Sequence, residues 1–453
     1  MGWRVYSWFM VGFAGLAWWP LTIPVRGGVD DYRLVDIRDI TPTGGVGRYG
    51  GAVAWSPDGE WIAFDLQETD GFADVYRMHP DGSGIEPLTK DHPDLPNRHQ
   101  GNPAWHPGGR WLLFQVEKGY HAQDTNHHPC RPGGGYYNDL YVMDLSSSPP
   151  YAVYRLTDVR AGYPAGGSLH AHFSPDGSRL LWADLERHAD NYGDWRLAWA
   201  DFVATSVPPV LTNITFAEPA TVDRWYETHG WGPDGSWIYF SGTDRTGMND
   251  NAMDICRMDL NQTDDVIRLT FSSGTGSEPA FWDEHAHLSP LGDVFCYVSS
   301  DPYQVETGTD YGVWLRTDVW MMNSDGTEHR RITWFNETGG CICADSSWSP
   351  AGNRLALRMV EKSTTNVRIK VLEFERSPTI ESVIRSNDVL RVRFPAVGGC
   401  AYHLECSDDL CGSGWKAVAT ETQVEAACRA TLQDPGSPAS KRFVRVVGEP
   451  VSP

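Results

Sequence analysis

The sequence predicts an all-β fold, and three observations carry the prediction. Among 453 residues there are 46 glycines and 20 tryptophans, a balance of turn formers and large aromatics that suits strands better than helices. Beyond the N-terminus no long stretch carries a 3.6-residue apolar period, which argues against an α/β arrangement. A turn signature recurs six times: Trp55-Ser-Pro-Asp-Gly59, Trp105-His-Pro-Gly-Gly109, Phe173-Ser-Pro-Asp-Gly177, Trp231-Gly-Pro-Asp-Gly235, Leu288-Ser-Pro-Leu-Gly292 and Trp348-Ser-Pro-Ala-Gly352.

The six prolines lie 50 to 68 residues apart. Each turn leads into a short apolar strand, such as Trp61–Phe64, Trp111–Phe114 and Trp237–Phe240. A third strand follows, beginning Asp74-Val, Asp139-Leu, Asp254-Ile and Asp318-Val. A fourth ends in Leu88-Thr89, Leu156-Thr157, Leu211-Thr212, Leu269-Thr270 and Ile332-Thr333. Four strands per unit are propeller blades. The sixth turn has no Leu/Ile-Thr after it, whereas Ile40-Thr41 precedes the first. The strand from Arg33 to Thr41 is therefore expected to complete the last blade, beside Val367 to Phe374, which removes the free edges of an open array. The reading is a six-bladed β-propeller over residues 31–376, closed by the N-terminal strand and followed by a small β-sandwich domain over 378–453.

The repeat resembles the TolB-type propeller repeat. Its first copy carries Trp55-Ser-Pro-Asp-Gly59, Ile62-Ala-Phe64, Val75-Tyr-Arg-Met78, Asp81-Gly-Ser83 and Leu88-Thr89 in order. The resemblance implies the fold and leaves function open, because propellers host binding proteins, lyases and peptidase caps alike. The C-terminal strands, with Tyr402-His-Leu-Glu-Cys-Ser-Asp-Asp-Leu410 and Arg442-Phe-Val-Arg-Val446, look like the β-sandwich modules of exported bacterial proteins. That likeness implies a spacer, adhesion or sorting role.

Residues 1–27 read as a signal peptide or N-terminal anchor, with Arg4 before an apolar, charge-free run from Val5 to Leu21. Export to the periplasm or outside the cell follows, and with it an oxidising compartment. Membrane contact is expected only through an uncleaved anchor. Cys400, Cys406, Cys411 and Cys428 could form one or two disulfides, with three pairings open. Cys341 and Cys343 share one strand face, too close for an easy mutual disulfide. A net charge of −22 repels phosphate backbones and argues against a nucleic-acid partner. A small-molecule or carbohydrate ligand, or a cell-envelope protein, is the expected partner.

If each first strand runs from top to bottom, the Pro turns lie at the bottom and the long insertions, Lys118 to Asn138 above all, at the top. Function is expected on the side of the long loops. There His170, His172, His229, His285 and His287 immediately precede three consecutive turns. His170 and His285 stand five before their prolines, and His172 and His287 stand three before. Strand alternation puts these four in one phase, toward the channel. Such pairs suit a divalent metal, Mn, Zn or another. His229 stands four before and is out of phase unless a bulge shifts it. Clustered imidazoles that must be neutral to ligate predict metal uptake that weakens from about pH 7 to 5 and releases more than one proton.

Asn102 and Asp345 share the histidine phase on neighbouring blades and are candidate ligand-binding residues. Glu284, like Glu227, is nearby and could orient a histidine from behind. Arg224, Trp225 and Tyr226 enter blade four from the top loop and could hold an anionic or sugar ligand. His121, His127, His128 and Cys130 read as part of a solvated loop rather than a second metal site. Asp244, Asn249, Asp250, Asn251 and Asp254 lack calcium-loop spacing.

No Gly-x-Ser-x-Gly occurs, and too little chain follows the propeller for a peptidase domain, which excludes a prolyl-oligopeptidase-type hydrolase. The first functional expectation is an exported propeller that binds a metal or polar ligand. The alternative is a metal-dependent lyase, since oligogalacturonate lyases are similar in architecture and channel histidines. In that case His229, Tyr226 and Arg224 are the candidate catalytic helpers. A structural surface protein is the third.

Overall fold

The structure is a computed structural model. It describes residues 5–11, 28–47, 50–122, 128–187, 193–205, 207–219, 225–242, 252–272, 280–303, 315–337, 340–362, 366–376, 382–386, 389–396, 400–407, 416–424, 428–434 and 442–450. Six four-stranded antiparallel sheets form the blades. Their first strands are Val53–Trp55, Gln100–Trp105, Ser168–Phe173, Tyr226–Trp231, Asp283–Leu288 and Cys341–Trp348. Each touches the first strand of the next blade, and the sixth returns to the first, so the ring encloses a channel. In the last sheet Tyr32–Asp39 pairs antiparallel with Asn366–Arg376.

The repeat signature is explained by what each residue satisfies. In the first turn Ser56 Oγ donates to Asp58 at 2.6 Å, and accepts from the Trp61 amide at 2.9 Å, while Gly59 takes the positive φ that closes the turn. Trp105, Trp231 and Trp348 donate their indole N–H to Ala54, His172 and His287 carbonyls of the preceding blade, at 3.1, 3.2 and 3.0 Å. The residue seven beyond each turn proline is Phe64, Phe114, Trp182, Phe240, Tyr297 or Leu357, and all six are at most 4% exposed. Each side chain of this kind contributes roughly 1.5–3 kcal/mol by leaving water.

The terminal threonines clamp the outer strands. Thr89, Thr157, Thr270 and Thr333 accept the amides of Val75, Leu140, Ile255 and Val319 at 2.8–3.0 Å. The same hydroxyls donate to Asp74, Asp139, Asp254 and Asp318 at 3.0–3.2 Å. One hydroxyl thereby serves a donor and an acceptor that the sheet would otherwise leave unpaired. Thr41 does the same for blade six, accepting the Ile369 amide at 3.0 Å. It reaches there from the N-terminal side of the chain, 328 residues away in sequence.

Beyond the propeller, Ser382–Ser386, Val389–Ala396 and Cys428–Asp434 form one sheet. A second contains Cys400–Ser407, Lys416–Val424, Arg442–Pro450 and, at its edge, Val5–Val11. Phe394 of the first sheet packs on Tyr402 of the second, ring centres 4.9 Å apart. The run read as an export leader thus lends one apolar strand to this sheet. The side chains of Cys400, Cys406, Cys411 and Cys428 lie outside the described residues. Cys341 and Cys343 are free thiols buried between blades five and six.

Two outcomes follow from this packing. Thr270→Val should cost about 1–3 kcal/mol in chemical denaturation, because it leaves the Ile255 amide and buried Asp254 short of a partner. Deleting residues 28–42 should lower the melting temperature of the whole ring, because the last blade then exposes an edge. An unchanged melting temperature would show that this strand is dispensable for closure.

Candidate metal centre in the channel

The channel strands are not regular. In blade three Leu169 pairs with Ala183 and His172 with Leu181, so His170 and Ala171 together face one residue. The same two-against-one shift occurs at Gly101/Ala104, Glu284/His287 and Cys343/Ser346, and in blade four His229 is the single extra residue between the Thr228 and Gly230 pairs. Each is a β-bulge, which re-aims side chains locally. Asn102, His170 and His285 sit at its first position with φ of 49°, 47° and 51°. Such a conformation is uncommon outside glycine but best tolerated by Asn, Asp and His.

The bulges of blades two and three are braced from neighbouring strands. Asp65 accepts the Asn102 amide at 3.0 Å and the Ala52 amide at 2.8 Å, and Gln115 accepts the His170 amide at 3.3 Å. Thr228 Oγ donates to the His170 carbonyl. These braces follow directly after the apolar core of the second strands, where the polar Asp65, Gln115, Ser241 and Arg358 interrupt otherwise apolar runs. That interruption was the signal in the sequence, and it was missed.

The bulge in blade four brings His229 into the site. Gly230 follows it at φ 149°, and a Cβ there would lie 2.4 Å from the Tyr239 hydroxyl, so only glycine fits. His170, His229 and His285 each present a ring nitrogen, and the three atoms lie within 4.8 Å of one another. Their ring centres are 5.5–6.0 Å apart. Glu227, Glu284 and His285 form a second such triple, sharing His285.

His172 and His287, read as ligands in the same phase, belong to neither triple. The bulge separates the five histidines into two tiers, and these two lie toward the turns, ring centres 6.1 Å apart, with His172 Nε2 at 3.2 Å from the Thr228 carbonyl. They line a cavity of about 280 Å³ with His229, Trp231, Tyr239 and Trp348. A smaller void of about 40 Å³, large enough for a water or an ion, is lined by Asn102, His170, His229 and Asp345 among others.

The electrostatics divide the imidazoles. Burial brings His170 and His172 down to about 4, and burial with the neighbouring histidines holds His229 and His287 well below the ordinary value. His285 differs. Burial alone would lower it, but Glu284 and Asp345 outweigh burial and hold it above the ordinary value. Glu284 Oε2 lies 3.1 Å from its Nε2, and Asp345 Oδ1 lies 3.5 Å from its Nδ1. Burial would raise Asp345 too, yet His285, His170 and Arg358 bring it down to about 2. Glu227 is pushed up by burial and by the charge of Glu284, whereas burial would raise Glu284 but the charge of His285 brings it down.

The donor set fits a divalent transition metal. Glu227 Oε2 and His285 Nδ1 are buried without a hydrogen-bond partner, although both groups lie inside the cluster. Glu284 behind His285, itself held by the Trp282 indole at 2.6 Å, is the carboxylate–imidazole arrangement that orients a ligating histidine. Ser241 Oγ engages His229 Nε2 at 2.7 Å and leaves Nδ1 as the nitrogen available to a metal. Asp345 belongs to neither triple but adjoins the first through His285.

The remaining candidates are placed differently. Asn102 lines the void, but its amide donates to Gln115 and to the Pro132 carbonyl, at 2.5 and 2.8 Å, and so braces the top loop. Tyr226, expected as a catalytic helper, is fully buried against Phe240 in the core between blades three and four. Trp225 packs on Trp195 in the same region. Both precede the bulge and face the inter-blade core rather than the channel. Arg224 lies outside the described residues, as do Asp244, Asn249, Asp250 and Asn251. Asp254 is spent on Arg268, Thr270 and Ser272.

No protein-family model matches the chain, and no curated protein matches it. Among solved structures it is similar to a putative TolB from Agrobacterium tumefaciens, with 18% identity over 72% of this chain and 90% of that one, at a TM-score of 0.43. A TolB from Acinetobacter baumannii shares 17% over 74% of this chain and 66% of that one, at 0.40. A puromycin hydrolase shares 11% over 77% of this chain, at 0.42, and the match spans 50% of that hydrolase.

Gly230→Ala tests the bulge. The added methyl should cost about 1–3 kcal/mol of stability through backbone strain and collision with Tyr239, and should displace His229 from the triple. Denaturation together with the histidine ring signals in NMR would read both.

Proposed function

We propose that the protein is an exported propeller that binds a divalent transition metal through His170, His229 and His285 near the top of its channel. The convergence of three buried imidazole nitrogens, with orphaned polar atoms beside them, carries this reading. Three protein ligands leave positions open for Asp345, water or a polar ligand, as in sites that exchange ligands rather than closed structural ones. The void beside the triple admits only a small group, so a larger ligand would approach from the channel mouth. Export is inferred from the sequence of the apolar, charge-free run from Val5 to Leu21, whose first part, Val5–Val11, is in the fold an edge strand of the C-terminal sheet. Among the described residues no helix is long and apolar enough to cross a membrane.

A second reading, a metal-dependent lyase acting on acidic carbohydrate, is favoured by one observation. Glu227, pushed up by burial and the Glu284 charge, lies 3.7 Å from His170 Nδ1, and the cation of Arg131 acts on it from the top loop. A metal bound there would polarise a uronate carboxylate. Glu227 would serve as the proton-carrying group and Arg131 as the anion contact, in place of Tyr226. New ultraviolet absorbance from oligogalacturonate under metal-loaded protein is the expected sign of turnover. Its absence with retained metal leaves the binding reading alone.

Metal titration of chelator-treated protein tests the first reading. His229→Ala should weaken zinc or manganese binding by more than about 100-fold, beyond the 10–100-fold that outer partners carry. The proton count follows from the electrostatics. His170 and His229 are already neutral at pH 7, so they release nothing. His285, held above its ordinary value, must give up its proton. Binding below the His285 value should therefore release up to one proton, fewer than clustering alone suggests. Affinity should fall up to about tenfold per unit as pH drops below the His285 value. Calorimetry in buffers of different ionisation enthalpy counts the protons, and a pH-independent affinity would remove His285 from the ligand set.

A further inference from the structure

Outside the channel, the blade-two insertion buries a second set of ligand-type side chains. Glu117 ends the strand Trp111–Glu117, His121 follows it, and Cys130 ends the short turn His128–Cys130. All three are at most 1% exposed, so this part of the insertion is not the solvated loop its composition suggests. His127 lies outside the described residues, and so does the side chain of His128.

The geometry separates two kinds of chemistry. A thiol–imidazole–carboxylate relay must address its two partners through opposite ring nitrogens. Here His121 Nε2 alone faces both, at 2.8 Å from Glu117 Oε1 and 3.9 Å from Cys130 Sγ. The oxygen, nitrogen and sulfur therefore converge, all within 4.8 Å of one another. Tyr137 stacks on the His121 ring at 4.4 Å and 10°, fixing its plane. Asn138 holds the Cys130 carbonyl at 2.8 Å, and the His99 amide donates to Glu117 Oε2 at 3.2 Å.

We propose that Glu117, His121 and Cys130 form a second, buried metal site of the zinc class. A divalent ion would displace the thiol proton and take the Nε2 position of His121 that now faces Glu117. Thiolate, carboxylate and neutral imidazole then balance two positive charges, which is what a buried site demands. Sulfur with imidazole selects zinc over the harder magnesium, calcium and manganese. The ion would tie the insertion to the end of a blade strand. The residues after Cys130 lie over the channel: the Pro132 carbonyl accepts from Asn102 and Gln115, and the Arg131 charge acts on Glu227. The site thus anchors the loop that roofs the channel centre and stands independently of whether that centre binds metal.

Cobalt substitution of the full chain tests it. The channel triple contains no sulfur, so a near-ultraviolet thiolate-to-cobalt band would report this cluster. The band is expected in the wild type, bleached by zinc, and absent in Cys130→Ser. Cobalt d–d absorption without the band would overturn this proposal and leave the channel site standing. The converse pattern, a band but no binding lost in His229→Ala, would overturn the channel site alone. Should Cys130→Ser not fold, Glu117→Gln, which keeps the shape and a hydrogen bond to His121, is the readout. There the band should persist while zinc affinity falls at least tenfold, and unchanged affinity would overturn the proposal.

Discussion

One extra residue in the innermost strand of a blade is the constraint on which the channel depends. A regular strand alternates its side chains, and His229, next to Gly230, would then point between blades. The bulge lets a strand turn consecutive positions toward the channel while its outer part keeps the ladder. The cost is a left-handed residue at Asn102, His170 and His285 and amides that lose their ladder partners. Asp65, Gln115 and Thr228 meet part of that cost by bonding the exposed backbone groups across the blade boundary. Function is therefore built from the interface between blades rather than from any one of them.

The outer ring shows the opposite economy. Threonine clamps in five blades and indole bonds at three blade boundaries satisfy local polar groups in the same way. That repetition frees the top of the channel to vary. Blade two uses its freedom for a long insertion that folds back over the channel. Blades three to five use theirs for histidines, and blade six contributes Asp345 and Arg358.

Electrostatics in the centre follow from burial acting on groups of both signs. Four histidines are held below their ordinary value by burial, whereas His285, despite burial, is held above it by the carboxylates that flank it. Glu227 is pushed up beside Glu284 because two buried anions so close would repel. A divalent ion would relieve that arrangement by replacing the imidazolium as the counter-charge to Glu284 and Asp345. The same logic applies at Glu117 and Cys130, where sulfur makes the preference softer.

The sequence by itself determined the blade count, the strand order and the identity of most channel residues, because each rests on local chemistry. Pro-Asp-Gly closes a turn wherever it stands, and a Thr after an apolar strand end meets an Asp on the next strand. It also placed His170, His285 and Asp345 in one register. Tertiary structure alone decided which histidines meet. A bulge is a register change between two strands, invisible to spacing along one of them, and it admitted His229 while leaving His172 and His287 a tier below. Burial between blades likewise removed Tyr226 and Trp225 from the channel and gathered His121 and Cys130 onto Glu117. Those outcomes depend on contacts between segments far apart in the chain, whose direction no single strand encodes.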